Sequence, residues 1–275
     1  MGKNLLIAHR GYRAKFPENT MIAFREALKL DVDGIEMDVR MTADYVPVVI
    51  HDGSLDRTTD KTGKICHLTY DEVRQADAGI KFGEEFKGEK VPSLEEFLAL
   101  MSTKEDMKVL LELKDYPEDY GDFAYVSCER ALALCKKYGI WGRKRLTVIT
   151  FSTGLCAWIR NRHKDEDIAL HGFYPKSCMR GYEKDDPYKY IDEVCIFAGG
   201  REMDGREVAV TDPVVSKQKF TDFALMGISP CVYFRYNTDE NVYLRAYQNG
   251  ARVFTCDDAY TCGKILDKIG ARKLK

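Results

Sequence analysis

The feature that most constrains this chain is a repeated alternation. Short apolar runs of strand length are separated by longer amphipathic stretches of helical period. The strand-like runs are Leu5–His9, Gly34–Val39, Lys108–Lys114, Leu146–Ser152, Ile168–Phe173, Glu193–Ala198, Cys231–Phe234 and Arg252–Cys256. Several are apolar at consecutive positions, as strands covered on both faces are. Helical stretches fall between them at 19–30, 93–101, 123–138, 153–163, 214–226, 238–248 and 260–269. In the first, Met21, Ile22, Phe24, Ala27 and Leu28 form one stripe, with Asn19 or Thr20 as N-cap; Ser93 and Glu96 open the second as a capping box. Parallel neighbours cannot be joined by a tight turn, so this order predicts an α/β parallel sheet with crossover helices. Eight strands in 275 residues predict closure into a (β/α)8 TIM barrel spanning 1–275 as one domain. The doubly wound open sheet is the alternative, but its glycine-rich phosphate fingerprint is missing.

Two segments break the rhythm. Residues 46–51 form a ninth strand, joined to Gly34–Val39 by the short Thr42-Ala43-Asp44-Tyr45 turn, which implies a hairpin. If Met41 faces Val46, His51 lies opposite Glu36. The polar stretch 53–90, with five glycines, reads as a small insertion after the second strand unit, lying over the barrel mouth.

Charge narrows the partners. Lys and Arg total 42 against 44 acidic residues, a net charge of -2, which gives no argument for nucleic acid; attraction for a phosphate must be local. The opening residues have only four apolar positions in a row (Leu5 to Ala8), too few for a signal-peptide core, and no run can span a bilayer. Nine scattered cysteines without a Cys-x-x-Cys pair fit reduced thiols, so cytoplasmic residence is expected. Oligomeric state is not legible.

Charged residues at the carboxyl ends of barrel strands face the active-site mouth. The first strand ends in His9-Arg10, the second carries Glu36 and Asp38, its hairpin partner ends in His51-Asp52, and the third carries Glu112 and Lys114. The period of two puts each of the pairs Glu36/Asp38 and Glu112/Lys114 on one face. Buried charges are costly unless paired or metal-bound. Glu112 with Lys114 can be a structural ion pair, but three carboxylates against two nearby cations suit a divalent ion better. All-oxygen ligands favour Mg²⁺ or Ca²⁺, and histidine ligation would admit Mn²⁺ or Zn²⁺. His9 and His51, with ordinary pKa values of ~6.5, can divide general acid and base work. Arg10 offers a fork for phosphate oxygens, or a structural partner for Glu18, and Lys114 adds a point charge. His67, His163 and His171 read as packed or solvated.

The same positions carry a family pattern. His9-Arg10-Gly11, Pro17-Glu18-Asn19-Thr20, Gly34-Ile35-Glu36-Met37-Asp38-Val39, Val46 through Asp52, Leu55-Asp56-Arg57-Thr58-Thr59 and Glu112-Leu113-Lys114 strongly resemble the glycerophosphodiester phosphodiesterase family. The resemblance implies a TIM barrel with a small insertion, His9 and His51 as the acid/base pair, Glu36, Asp38 and Glu112 as metal ligands, and Arg10 and Lys114 as phosphate contacts. It also implies one divalent cation and a small-molecule glycerophosphodiester substrate, with the glycerol 2-hydroxyl as first nucleophile through a cyclic phosphate. The C-terminal half departs from the pattern: Phe234 and Arg235 stand where Trp and Thr are usual, and Cys256-Asp257-Asp258-Ala259 where Thr-Asp-x-Pro is common. Those departures bear on substrate identity, and Arg235 can add an anion contact.

Two rivals follow. A lysophospholipase D or phospholipase C-like activity would need an apolar lip, which Ile80, Phe82 and Phe86 can supply if they are not the core of the insertion. A barrel that binds a phosphate ligand without turnover is the other, disfavoured by the intact histidines and carboxylates. A metal-dependent amidohydrolase is disfavoured too, since its first strand would end in His-x-His.

Overall fold

The computed structural model describes residues 4–197, 200–201, 207–208 and 216–272. In chain order the strands are β1 (Leu5–His9), β2 (Gly34–Met41), β3 (Pro47–Val49), β4 (Lys108–Leu113), β5 (Leu146–Ile149), β6 (Ala169–Tyr174), β7 (Glu193–Phe197), β8 (Gly200–Arg201), β9 (Glu207–Val208), β10 (Ser229–Tyr233) and β11 (Val253–Cys256). Eight of them run parallel in the order β1-β2-β4-β5-β6-β7-β10-β11. The ring closes because β11 pairs with β1 at Ala8↔Cys256. This is the TIM barrel expected from the alternation. Strands β8 and β9 make a separate antiparallel ribbon. Ala198 and Val214, which the sequence assigned to a strand end and a helix start, lie outside the described residues.

The helices are α1 (Met21–Ala27), α2 (Tyr70–Gln75), α3 (Leu94–Ser102), α4 (Pro117–Tyr120), α5 (Asp122–Lys137), α6 (Thr153–Arg162), α7 (Lys217–Leu225), α8 (Glu240–Asn249) and α9 (Ala259–Lys268). Thr20 caps α1, its hydroxyl accepting from the Ala23 N–H, and Ser93 with Glu96 closes the capping box of α3. That leaves Asn19 for another task. The outward residues Ile35, Met37 and Val39 of β2 are fully buried, as are Phe24 of α1 and Phe97 of α3, whose rings meet edge-on at 4.6 Å. Each such side chain contributes roughly 1.5–3 kcal/mol on leaving water. The mouth is therefore carried on a stiff wall.

The hairpin differs from its expected register. β3 pairs with β2 as Val39↔Val49, Arg40↔Val48 and Met41↔Pro47, which sets His51 level with Met37, not Glu36, and two residues past the strand. The turn causes this. Tyr45 adopts a left-handed backbone (φ 63°), and Thr42 takes Val46 as its partner, its N–H donating at 3.1 Å while its hydroxyl accepts from the Val46 N–H at 3.0 Å.

Val48 of β3 and the chain beyond it to Val91 build a small separate cluster, completed by Ile50, Leu55, Ile65, Val73, Ala76, Ala78 and Val91. Ile80, Phe82 and Phe86 do not belong to it. They are half-buried, and Phe86 packs edge-on against Phe82 (5.4 Å) and against Phe16 of the β1–α1 loop (5.7 Å).

Candidate active site

At the carboxyl ends of β1, β2 and β4, register alone gathers the acidic groups. His9 lies beside Glu36 and Asp38 beside Glu112. Ligand atoms of Glu36, Asp38 and Glu112 all fall within 4.8 Å of one another, and the three residues are buried at 2%, 0% and 6% exposure. Lys114 joins them, its Nζ 2.5 Å from Glu112 Oε1 and 3.2 Å from Asp38 Oδ1. The ion-pair reading of Glu112 with Lys114 and the convergence of three carboxylates are thus both present.

Charge is shared unequally. Burial would raise both β2 carboxyls, but Arg10 and Lys114 hold Asp38 well below the usual carboxylate range. Glu36, pushed up by burial and by the neighbouring Asp38 and Glu112, stands well above it. Glu36 Oε1 has no hydrogen-bond partner, and neither does Asp38 Oδ1, for which Lys114 is in charge contact but off-line. Buried acceptors left unmatched cost about 1–3 kcal/mol each. The donor set and these two oxygens fit a hard divalent cation.

Arg10 has a left-handed backbone (φ 54°), and its N–H donates to Glu36 Oε2 at 3.0 Å. Its guanidinium meets Asp38 (Nε–Oδ2 3.0 Å) and Glu18 (Nη1–Oε1 2.8 Å), so the Glu18 pairing exists within the carboxylate-lined mouth. Asn19, also left-handed (φ 57°), donates through Nδ2 to Asp38 Oδ2 at 2.8 Å, the task its displacement from the cap allows.

His9 is buried, with Nδ1 2.5 Å from Asp257 Oδ1 and Nε2 3.7 Å from Glu36 Oε2. Tyr233 OH lies 2.9 Å from His9 Nδ1 and donates to Asp257 Oδ1 at 3.0 Å. Burial pulls the imidazole down to about 4, helped by Arg10 and opposed by Asp257. Asp257 itself stays below the carboxylate range: burial opposes that, but His9 and Arg13 outweigh it. His51 is half-exposed and holds Asp52 through Nδ1 at 2.7 Å; burial lowers it, against the pull of Asp38. Both histidines thus have Nδ1 engaged by a carboxylate, leaving Nε2 for chemistry.

Asp257, Tyr233 and Arg13 were not singled out from sequence as site residues. Asp257 obeys the same strand-end rule that marked His9, directly following β11. Arg13, 6% exposed, reaches Glu18 at 3.2 Å and Asp257 at 3.6 Å, and had no signal beyond being a loop arginine. Arg235, also left-handed (φ 50°), lies over the rings of Tyr233 and Phe197 at 5.7 and 5.9 Å. His163 pairs with Glu129 and Glu166, and His171 with Glu193, as packed histidines do.

A second polar layer sits at the amino ends of the strands. There Glu193 meets Lys108 (3.1 Å), His171 (3.2 Å) and Cys231 (4.0 Å). Its charge is already matched by Lys108, and the amino-terminal face of a barrel serves stability.

No helix among the described residues is long and apolar enough to cross a membrane. All nine cysteines are free, and all but Cys66 and Cys178 are buried.

The model of the glycerophosphoryl diester phosphodiesterase family matches residues 9–219. A glycerophosphodiester phosphodiesterase of Caldanaerobacter subterraneus subsp. tengcongensis is 49% identical over 112 residues, 41% of this chain and 46% of that protein. One from Bacillus altitudinis is 44% identical over 110 residues, 40% of this chain and 45% of its own length. The chain thus spans about half the length of these curated relatives (46% and 45%). In fold it is similar to an Oleispira antarctica phosphodiesterase solved with its product sn-glycerol-3-phosphate, with TM-score 0.76, 22% identity and 96% of both chains covered. With a closed barrel, a carboxylate-lined mouth and a family model matched over most of its length, the chain belongs to the glycerophosphoryl diester phosphodiesterase family.

Proposed function

We propose that this protein hydrolyses glycerophosphodiesters to glycerol 3-phosphate and an alcohol, using one divalent cation and the histidine pair His9 and His51. The observation that carries the reading is the buried Glu36–Asp38–Glu112 group, with unmatched oxygens on Glu36 and Asp38, beside a histidine fixed by Asp257. Its family is generally dependent on a divalent metal. Glu36, Asp38 and Glu112 would hold the ion, Mg²⁺ or Ca²⁺, with Mn²⁺ the next choice. A bound cation supplies Lewis-acid stabilisation of negative charge growing on the phosphate oxygens.

The remaining work falls to side chains of this protein. Arg10 and Lys114 orient the phosphate by its non-bridging oxygens. With Nδ1 anchored on Asp257 or Asp52, each histidine presents Nε2. One takes the proton of the attacking hydroxyl, either the glycerol 2-hydroxyl or water, and the other returns a proton to the leaving alkoxide. Residues 53–90 are read here as an insertion over the mouth of a single barrel. Cytoplasmic residence and a small-molecule substrate, without nucleic acid, complete the reading.

One observation favours a second substrate class. The rings of Tyr12, Phe16, Phe86 and Phe82 form a continuous half-buried row, with centroid spacings of 5.9, 5.7 and 5.4 Å, and such a row is an apolar lip. It supports a lysophospholipase D or phospholipase C-like activity on lipid phosphodiesters.

The test is release of glycerol 3-phosphate from glycerophosphocholine and glycerophosphoethanolamine with Mg²⁺, Ca²⁺ or Mn²⁺, repeated with EDTA. Cation-dependent release is expected. Turnover of lysolipids alone would select the second class, and no turnover of either would leave a binding barrel.

A further inference from the structure

Arg57 lies in the segment between β3 and α2, outside the groups that the proposed reaction uses, yet it is bound to the carboxylate partners of two of them. Its guanidinium donates to both oxygens of Asp52 (Nε–Oδ2 2.6 Å, Nη2–Oδ1 3.1 Å) and to both of Glu18 (Nη2–Oε1 2.8 Å, Nη1–Oε2 3.1 Å). Each carboxylate has a second partner in the mouth. Asp52 Oδ1 is 2.7 Å from His51 Nδ1, and Glu18 Oε1 accepts from Arg10 Nη1 at 2.8 Å. One nitrogen, Arg57 Nη2, therefore donates to the oxygen that holds His51 and to the oxygen that holds Arg10.

We propose that Arg57 is a positioning residue that sets a proton-transfer group, His51, and a phosphate contact, Arg10, relative to each other. The inference rests on the function proposed above. Only a planar fork can serve two carboxylates in this way, so lysine cannot replace it. Arg57 also takes up part of each carboxylate. Without it, Asp52 is left to His51, and Glu18 to Arg10 and Arg13, and both working groups change their hold. The Arg57 side chain is 45% exposed, and the less exposed Glu18 keeps Arg10 and Arg13 as partners when Arg57 is removed, so no buried charge is left unpaired and the effect of removing it is chiefly geometric.

The experiment measures kcat and KM for glycerophosphocholine with Mg²⁺ on the full chain, alone and as R57A, D52N, E18Q, R57A/D52N and R57A/E18Q, with R57Q carrying the test if R57A loses its far-UV signature. R57A is expected to lower kcat/KM about 10- to 100-fold, through both kcat and KM, at an unchanged Tm. R57A/D52N should turn over no more slowly than D52N, and R57A/E18Q should have no higher KM than E18Q. R57A within twofold of the parent in both constants, or losses that add fully in both double variants, overturns the inference while leaving the function standing. A parent protein without turnover removes the function itself, and this inference with it.

Discussion

Replacing Asp257 by asparagine keeps the shape of the site and removes one charge, which makes it the most direct test of the His9 arrangement. Asp257 Oδ1 lies 2.5 Å from His9 Nδ1, and Tyr233 OH donates to the same oxygen. In the reaction proposed above, the carboxylate would fix Nδ1 as the protonated nitrogen and stabilise the imidazolium formed as Nε2 takes a proton. With charge centres about 4 Å apart and an effective dielectric near 20, that attraction is worth about 4 kcal/mol. At about 1.4 kcal/mol per decade, D257N should lower kcat by roughly 10²- to 10³-fold, with the circular dichroism of the barrel kept. The sign of the titration follows too. Burial draws His9 down to about 4 and Asp257 opposes it, so in D257N the histidine should titrate lower still. Steady-state release of glycerol 3-phosphate at saturating Mg²⁺ gives kcat, and histidine ¹⁵N shifts report the tautomer and the titration. A D257N protein with kcat within threefold of the parent, or with His9 titrating upward, would refute the dyad.

Three further outcomes are expected. H9A and H51A should each abolish turnover while the circular dichroism of the barrel is kept; near-parental activity in either removes that histidine from the mechanism. Glu193 is held down at about 2: burial opposes this, but His171 and Lys108 prevail. A carboxyl with a depressed folded pKa stabilises above its unfolded value, so the protein should lose on the order of 3 kcal/mol as pH falls from about 5 to 2. In E193Q that part of the urea-stability profile should flatten, and an unchanged slope would show the pairing to be inert. At Gly79 an added Cβ would lie 1.8 Å from the Phe86 carbonyl oxygen. G79A should therefore open residues 53–90 to limited proteolysis, at a strain of about 1–3 kcal/mol, and an unaltered digestion pattern would contradict the close approach.

Local pattern made much of this protein legible. Apolar runs of strand length between amphipathic helices can bury their surfaces only in a covered parallel sheet, and eight of them close it. Within a strand, side chains alternate by two, so Glu36 with Asp38 and Glu112 with Lys114 could be placed on shared faces before any coordinates. His9, Arg10 and His51 stood out because charged residues at strand ends are expensive unless used.

Only the tertiary structure decided what lies across from what. Asp257 reaches His9 over a separation of 248 residues because β11 closes the ring against β1, and no periodicity encodes that contact. The place of His51 turned on one left-handed residue, Tyr45, whose turn moved the hairpin by a single position. Arg57 stood in the Leu55–Thr59 pattern without an assigned role until folding set Glu18 and Asp52 on either side of its guanidinium. Each of these depends on chain closure or loop path, which pairs residues far apart in sequence, whereas sequence pattern records only the environment of each residue along its own element.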